Sequence, residues 1–76
     1  MKKISYRILL RPEPEGGYTV TVPSLPGCIT YGKTLEEARR MALDAVKAYL
    51  ESLKKHGESI PDDSGILEGT LDIKFA

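Results

Sequence analysis

The sequence predicts an α+β domain of two layers, with one helix packed on a mixed four-stranded sheet in the order β-β-β-α-β. Apolar residues alternate with polar ones from Ile4 to Arg11, from Tyr18 to Val22 and from Thr70 to Phe75, which is the period of a strand with one covered face. Between the second and last of these runs, apolar residues recur at three- and four-residue spacing from Leu35 to Leu53, which is the period of a helix. Proline- and glycine-rich punctuation separates the runs.

Each element has its own signals. In the first run Ile4, Tyr6, Ile8 and Leu10 share one face, opposite Ser5, Arg7, Leu9 and Arg11. Pro12 and Pro14 withhold backbone donors and Gly16-Gly17 permits positive φ, so the chain turns there and Tyr18 to Val22 returns antiparallel. Pro26-Gly27 fits the centre of a type II turn, and a third strand, Cys28 to Tyr31, follows. Thr34-Leu-Glu-Glu37 matches a capping box, in which the Thr34 hydroxyl accepts from the Glu37 N–H and the Glu37 carboxylate reaches back to the Thr34 N–H.

The helix is expected from about 35 to 56, with Leu35, Ala38, Met41, Ala42, Ala45, Val46, Tyr49, Leu50 and Leu53 on its core face. Glu36 with Arg40, Lys47 with Glu51, and Glu51 with Lys55 stand at i,i+4 on its exposed side. Lys54, Lys55 and His56 suit the negative end of the helix dipole, and Gly57 suits a left-handed cap. A polar connection follows, which Ile60, Ile66 and Leu67 are expected to pin to the core. The last strand, with Leu71, Ile73 and Phe75 toward the helix, is expected parallel to the first or third strand, the first being favoured as a neighbour on its free side. The sheet's second face reads as mostly polar, with Leu9 the exception.

At 76 residues the chain is one domain near the lower limit for folding alone. Eleven basic and eleven acidic residues cancel, so the net field supplies no reason for tight nonspecific binding to nucleic acid or anionic lipid. Met1-Lys-Lys starts like a secretory n-region, but Arg7 and Arg11 interrupt any signal-like core, and no apolar run approaches membrane-spanning length. The expected location is cytoplasmic.

Catalytic candidates are few. Cys28 is the only cysteine, so no intrachain disulfide or multi-cysteine metal site can form, and it reads as a small core residue rather than a nucleophile. His56, the only histidine, falls at the exposed end of the helix. Asp62 and Asp63 read as a solvated turn, and Gly16-Gly17 has neither the spacing nor the helix start of a phosphate loop. Tyr6, Tyr18, Tyr31 and Tyr49 read as packing residues with no basic stripe around them. Leu25 is expected to pack under the helix start, the alternative being contact with a partner.

Tyr18-Thr-Val-Thr-Val-Pro-Ser-Leu-Pro-Gly-Cys-Ile-Thr-Tyr-Gly32, with Thr34-Leu-Glu-Glu-Ala38 and Gly57-Glu-Ser-Ile-Pro61, resembles the HicB antitoxin family. The resemblance runs from the first strand to Pro61. It implies a truncated, partial RNase H-like fold and binding to a HicA-type toxin, a small mRNA interferase whose active site the antitoxin masks. Many relatives continue into a segment that binds operator DNA; here the expectation is a single HicB-like domain over 1–76 with no C-terminal DNA-binding domain.

A metal-dependent RNase H-like nuclease needs a carboxylate on the first strand. This one offers Ser5, Arg7 and Arg11, which leaves Asp72 and the helix glutamates without that partner. The expected function is therefore a non-enzymatic, cofactor-free and metal-free binding module. Opposite charge would favour a basic RNA-binding toxin, which makes Glu13, Glu15, Glu36 and Glu37 the candidate partner-binding residues. The alternatives are an orphan HicB-like protein without a toxin, or a nucleic-acid-binding regulator using Arg7, Arg11 and Lys74. Self-association into a homo-oligomer is also expected, since a small two-layer domain leaves an edge strand and one sheet face uncovered.

Overall fold

The computed structural model describes residues 3–76; Met1 and Lys2, the start of the n-region-like stretch, lie outside it. Three strands, β1 (Leu9–Pro12), β2 (Tyr18–Thr21) and β3 (Ile29–Gly32), form an antiparallel sheet in the order β1-β2-β3. One helix, α1 (Leu35–Lys55), packs on it.

The turns close as their residues dictate. Glu13 donates its N–H to the Gly17 carbonyl at 2.9 Å and accepts from Gly16 at 2.9 Å, while Gly16 and Gly17 take φ of 106° and 80°. Cys28 donates to the Leu25 carbonyl at 2.9 Å around Pro26 and Gly27, and the latter's φ of 82° completes the type II turn. Thr34 caps α1 by accepting from the Glu37 N–H at 3.0 Å. Glu37 reaches one residue further back than a capping box requires, accepting from the Lys33 N–H at 2.6 Å. At the other end Glu58 donates to Leu53 at 2.9 Å and Gly57 to Lys54 at 3.1 Å, a Schellman closure made possible by φ of 69° at Gly57.

Two linked clusters form the core. Val20, Ala38 and Ala42 pack with Ile8, Leu10 and Tyr18. Val22, Leu25 and Cys28 pack with Tyr6, Ile8 and the later half of α1 through Ala45, Val46, Tyr49 and Leu50. Leu25 is fully buried, but in the cluster covered by the later half of α1 rather than under its start. Two of the expected core residues of α1, Leu35 and Met41, are exposed.

Sheet and helix meet most closely at Gly32. A Cβ built there would lie 2.3 Å from the Ala38 nitrogen and 2.4 Å from its Cα, so only glycine admits the helix backbone.

Four expectations are corrected. β1 begins at Leu9 rather than Ile4: continuing the register Leu9↔Thr21 sets Arg7 opposite Pro23, which has no N–H to offer. The fourth strand is absent among the described residues, and Leu71, Ile73 and Phe75 are 87%, 78% and 96% exposed. None of the expected i,i+4 ion pairs forms among the described residues; the helix carries instead an Arg40–Glu37 contact of 4.0 Å at i,i+3. The connection after α1 is held by polar groups, with Ile60, Ile66 and Leu67 left exposed.

Candidate functional site

The register places the four candidate glutamates at one end of the molecule. Pro12 pairs with Tyr18 and Tyr18 with Gly32, so the β1–β2 turn bearing Glu13 and Glu15 and the β3–α1 junction before Glu36 and Glu37 share one end of the sheet. Two of the four have structural work. Glu13 accepts from the Thr19 hydroxyl at 2.6 Å, and Glu37 holds the Lys33 N–H. Glu15 and Glu36 are exposed and make no hydrogen bond or ion pair among the described residues.

Next to this acidic end lies a surface that the sequence pattern concealed. Leu9, Thr21 and Ile29 stand in one cross-strand row and Arg11, Thr19 and Tyr31 in the next, all on the sheet face away from α1. Leu9, Ile29 and Tyr31 are 53%, 61% and 46% exposed. The face is thus more apolar than expected, because the odd positions of the four-residue third strand are both large and apolar. Tyr31 joins the two surfaces by donating its hydroxyl to the Gly16 carbonyl at 2.9 Å. It fits because Gly17 lacks a Cβ, which would lie 2.0 Å from the Tyr31 oxygen.

Tyrosine hydroxyls pin the other connections as well. Tyr49 donates to the Pro26 carbonyl at 2.8 Å, and Tyr6 donates to that of Pro61. Burial, followed by the charges of Asp62 and Asp63, raises the Tyr6 phenol above its ordinary value.

Asp62 and Asp63 diverge. Asp62 accepts from the Ser64 N–H at 3.0 Å and from its hydroxyl at 2.6 Å, as a turn residue does. Asp63 instead enters the mouth of the sheet, accepting from the Arg7 N–H at 2.5 Å and from the Ser24 hydroxyl. The Ser24 hydrogen bond, then that of the Arg7 N–H, hold its carboxyl below the usual range; partial burial opposes them, and the Arg7 guanidinium at 3.6 Å adds to them. Arg7 also donates to Glu68 at 2.9 Å and to the Ile66 carbonyl at 2.7 Å. It is therefore committed to acceptors within the chain, while Lys74 sits in the exposed terminal segment. Arg11 stands exposed on the sheet face away from α1, opposite Thr19.

Cys28 is 6% exposed, and burial pushes its thiol up, so the thiolate required of a nucleophile is disfavoured. The His56 Nδ1 lies 2.7 Å from the Ser52 carbonyl on the helix end, with no partnership to Cys28. No group of three or more metal-ligating side chains gathers among the described residues, and no helix there is long and apolar enough to cross a membrane.

A family model described as the HicB-like antitoxin of bacterial toxin-antitoxin systems matches residues 6–75, nearly the whole chain. The chain belongs to the HicB-like antitoxin family. It is 48% identical over 61 residues to a UPF0150 protein of Thermoplasma acidophilum, an alignment covering 80% of this chain and 88% of that one. With Antitoxin HicB 1 of Photorhabdus laumondii it shares 37% identity over its full length but covers only 49% of that relative. Antitoxin HicB of Escherichia coli K12 is 38% identical over 56 residues, which are 74% of this chain and 41% of the relative. The HicB-like chain thus spans most of the archaeal protein and about half or less of the two antitoxins.

Proposed function

We propose that this HicB-like chain is a non-enzymatic antitoxin module that binds a HicA-type mRNA interferase and masks its active site. Family membership supports the antitoxin role. The contact surface proposed is the acidic end together with the adjoining open sheet face, with Leu9, Ile29 and Tyr31 at its centre and Glu15 and Glu36 at its rim.

The observation that carries this surface is the Tyr31–Gly16 hydrogen bond, which joins the exposed apolar strip to the turn bearing Glu15, a carboxylate without a partner among the described residues. An apolar centre with a charged rim is the ordinary anatomy of a protein interface. The rim would steer a basic RNA-binding partner, and the apolar strip would hold it once docked. Masking then requires no chemistry from the antitoxin: a bound sheet face excludes RNA from the toxin's catalytic groups. The β-β-β-α core would serve as a truncated RNase H-like scaffold used for docking.

Titration calorimetry with a HicA-type toxin encoded beside this chain tests the proposal, with RNA cleavage by the toxin as a second readout. A tight complex and loss of cleavage are expected. The doubly substituted E15K/E36K chain is expected to bind at least about tenfold more slowly at low salt, and Ile29→Asp to dissociate faster. Absence of a complex with the unaltered chain overturns the reading.

A further inference from the structure

Outside the proposed toxin surface, two apolar features lack partners among the described residues. A groove of about 450 Å³ runs between residues 4–8 and α1, lined by Ile4, Tyr6, Ile8, Ala42, Leu43 and Val46 together with arginine stems. The terminal segment from Thr70 to Phe75 presents Leu71, Ile73 and Phe75 to solvent on alternate positions.

We propose that the chain forms a two-fold dimer by reciprocal strand exchange, residues 70–75 of each copy pairing with the free edge beside residues 4–8 of the other. Leu71, Ile73 and Phe75 then fill the partner copy's groove, leaving Thr70, Asp72 and Lys74 on the solvated face.

The dimensions agree. Residues 70–75 extend to about 20 Å, and their three apolar side chains have the same two-residue period as Ile4, Tyr6 and Ile8. Residues 4–8 lead directly into β1, which has a neighbouring strand on one side only among the described residues. An open edge above an apolar groove accepts a strand of alternating pattern.

The path of the chain favours a second copy over the chain's own tail. Pro61 meets the Tyr6 hydroxyl on the helix side, Asp63 crosses the mouth of the sheet, and Ile66 and Glu68 meet the Arg7 guanidinium. Arg7 projects from the face opposite Tyr6 and Ile8, so these contacts release the tail on the side away from its own groove. The tail then leaves the body. The radius of gyration is 14.7 Å, against about 11 Å expected for a compact chain of this length, and the longest extent is 48 Å. Exchange joins arm and groove without disturbing the Arg7 contacts, and because each copy carries both halves the interface closes on itself as a two-fold.

Sedimentation equilibrium of the full chain at tens of micromolar is expected to show a dimer, and Ile73→Asp a folded monomer that keeps the helical circular dichroism of α1. Each large apolar side chain buried contributes tenfold or more to association, and twice over in a two-fold dimer, so the dissociation constant should rise at least roughly 100-fold. For placement, a Leu43→Cys chain and an Ile73→Cys chain, distinguishable by tag, are mixed and oxidised with buried Cys28 left in place. A disulfide between the two tagged species is the expected product. A monomeric full chain, a dimer indifferent to Ile73→Asp, or a cross-link formed only within a doubly substituted chain each overturns the proposal.

Discussion

At Asp63 one carboxylate accepts from the Arg7 N–H and the Ser24 hydroxyl just ahead of β1, where the ladder between β1 and β2 has ended. The sequence showed two adjacent aspartates in a polar turn and no sign that one would insert between Arg7 and Ser24, 56 and 39 residues away. A pH dependence follows. The folded-state pKa is depressed, so the stabilisation is present above the unfolded value of about 4 and is lost as pH falls through the lower folded value. Asp63→Asn should therefore be less stable than the parent at neutral pH, and the gap should narrow as pH falls below about 4. Thermal midpoints of both chains across that range provide the check; a gap that stays constant into strong acid assigns the contribution elsewhere.

Among the elements, α1 was the most legible, since its boundaries depend on local signals: Thr34 at one end and Gly57 at the other. Strands were less so. Alternation tells which side chains share a face, and Ile8 and Leu10 do face the core, but it does not tell whether a neighbouring strand is present to pair with. For residues 4–8 and 70–75 none is, among the described residues. The third strand hid its contribution differently: Cys28 and Gly32 are buried while Ile29 and Tyr31 lie open, so a short run of mostly nonpolar residues gave no polarity contrast to sort its faces. Gly32 joins strand to helix. Gly32→Ala drives a methyl into the Ala38 backbone and should cost about 1–3 kcal/mol by overpacking, more if the helix cannot shift. Denaturant unfolding measures this directly, and a neutral result refutes the close approach.

At the scale of the whole molecule, the fully buried apolar side chains are few, and Leu25, Val20 and Val22 are the largest of them. Stability of about 0.05–0.15 kcal/mol per residue gives roughly 4–11 kcal/mol for a chain of this size. Leu25→Ala removes a side chain packed among Val22, Cys28 and the later half of α1, at an expected cost of about 2–5 kcal/mol. That is a large share of the total, whereas Leu67→Ala at a site 94% exposed should change stability by no more than about 0.5 kcal/mol. Each kcal/mol shifts the midpoint of a domain this small by about 4–8 °C, so calorimetry should show Leu25→Ala melting at least about 8 °C below the parent and Leu67→Ala within a few degrees of it. The contrast separates two readings of an apolar residue in a proline-rich turn. A Leu25 offered to a partner would leave the melting of the isolated chain unchanged, and a Leu25 that closes the core lowers it.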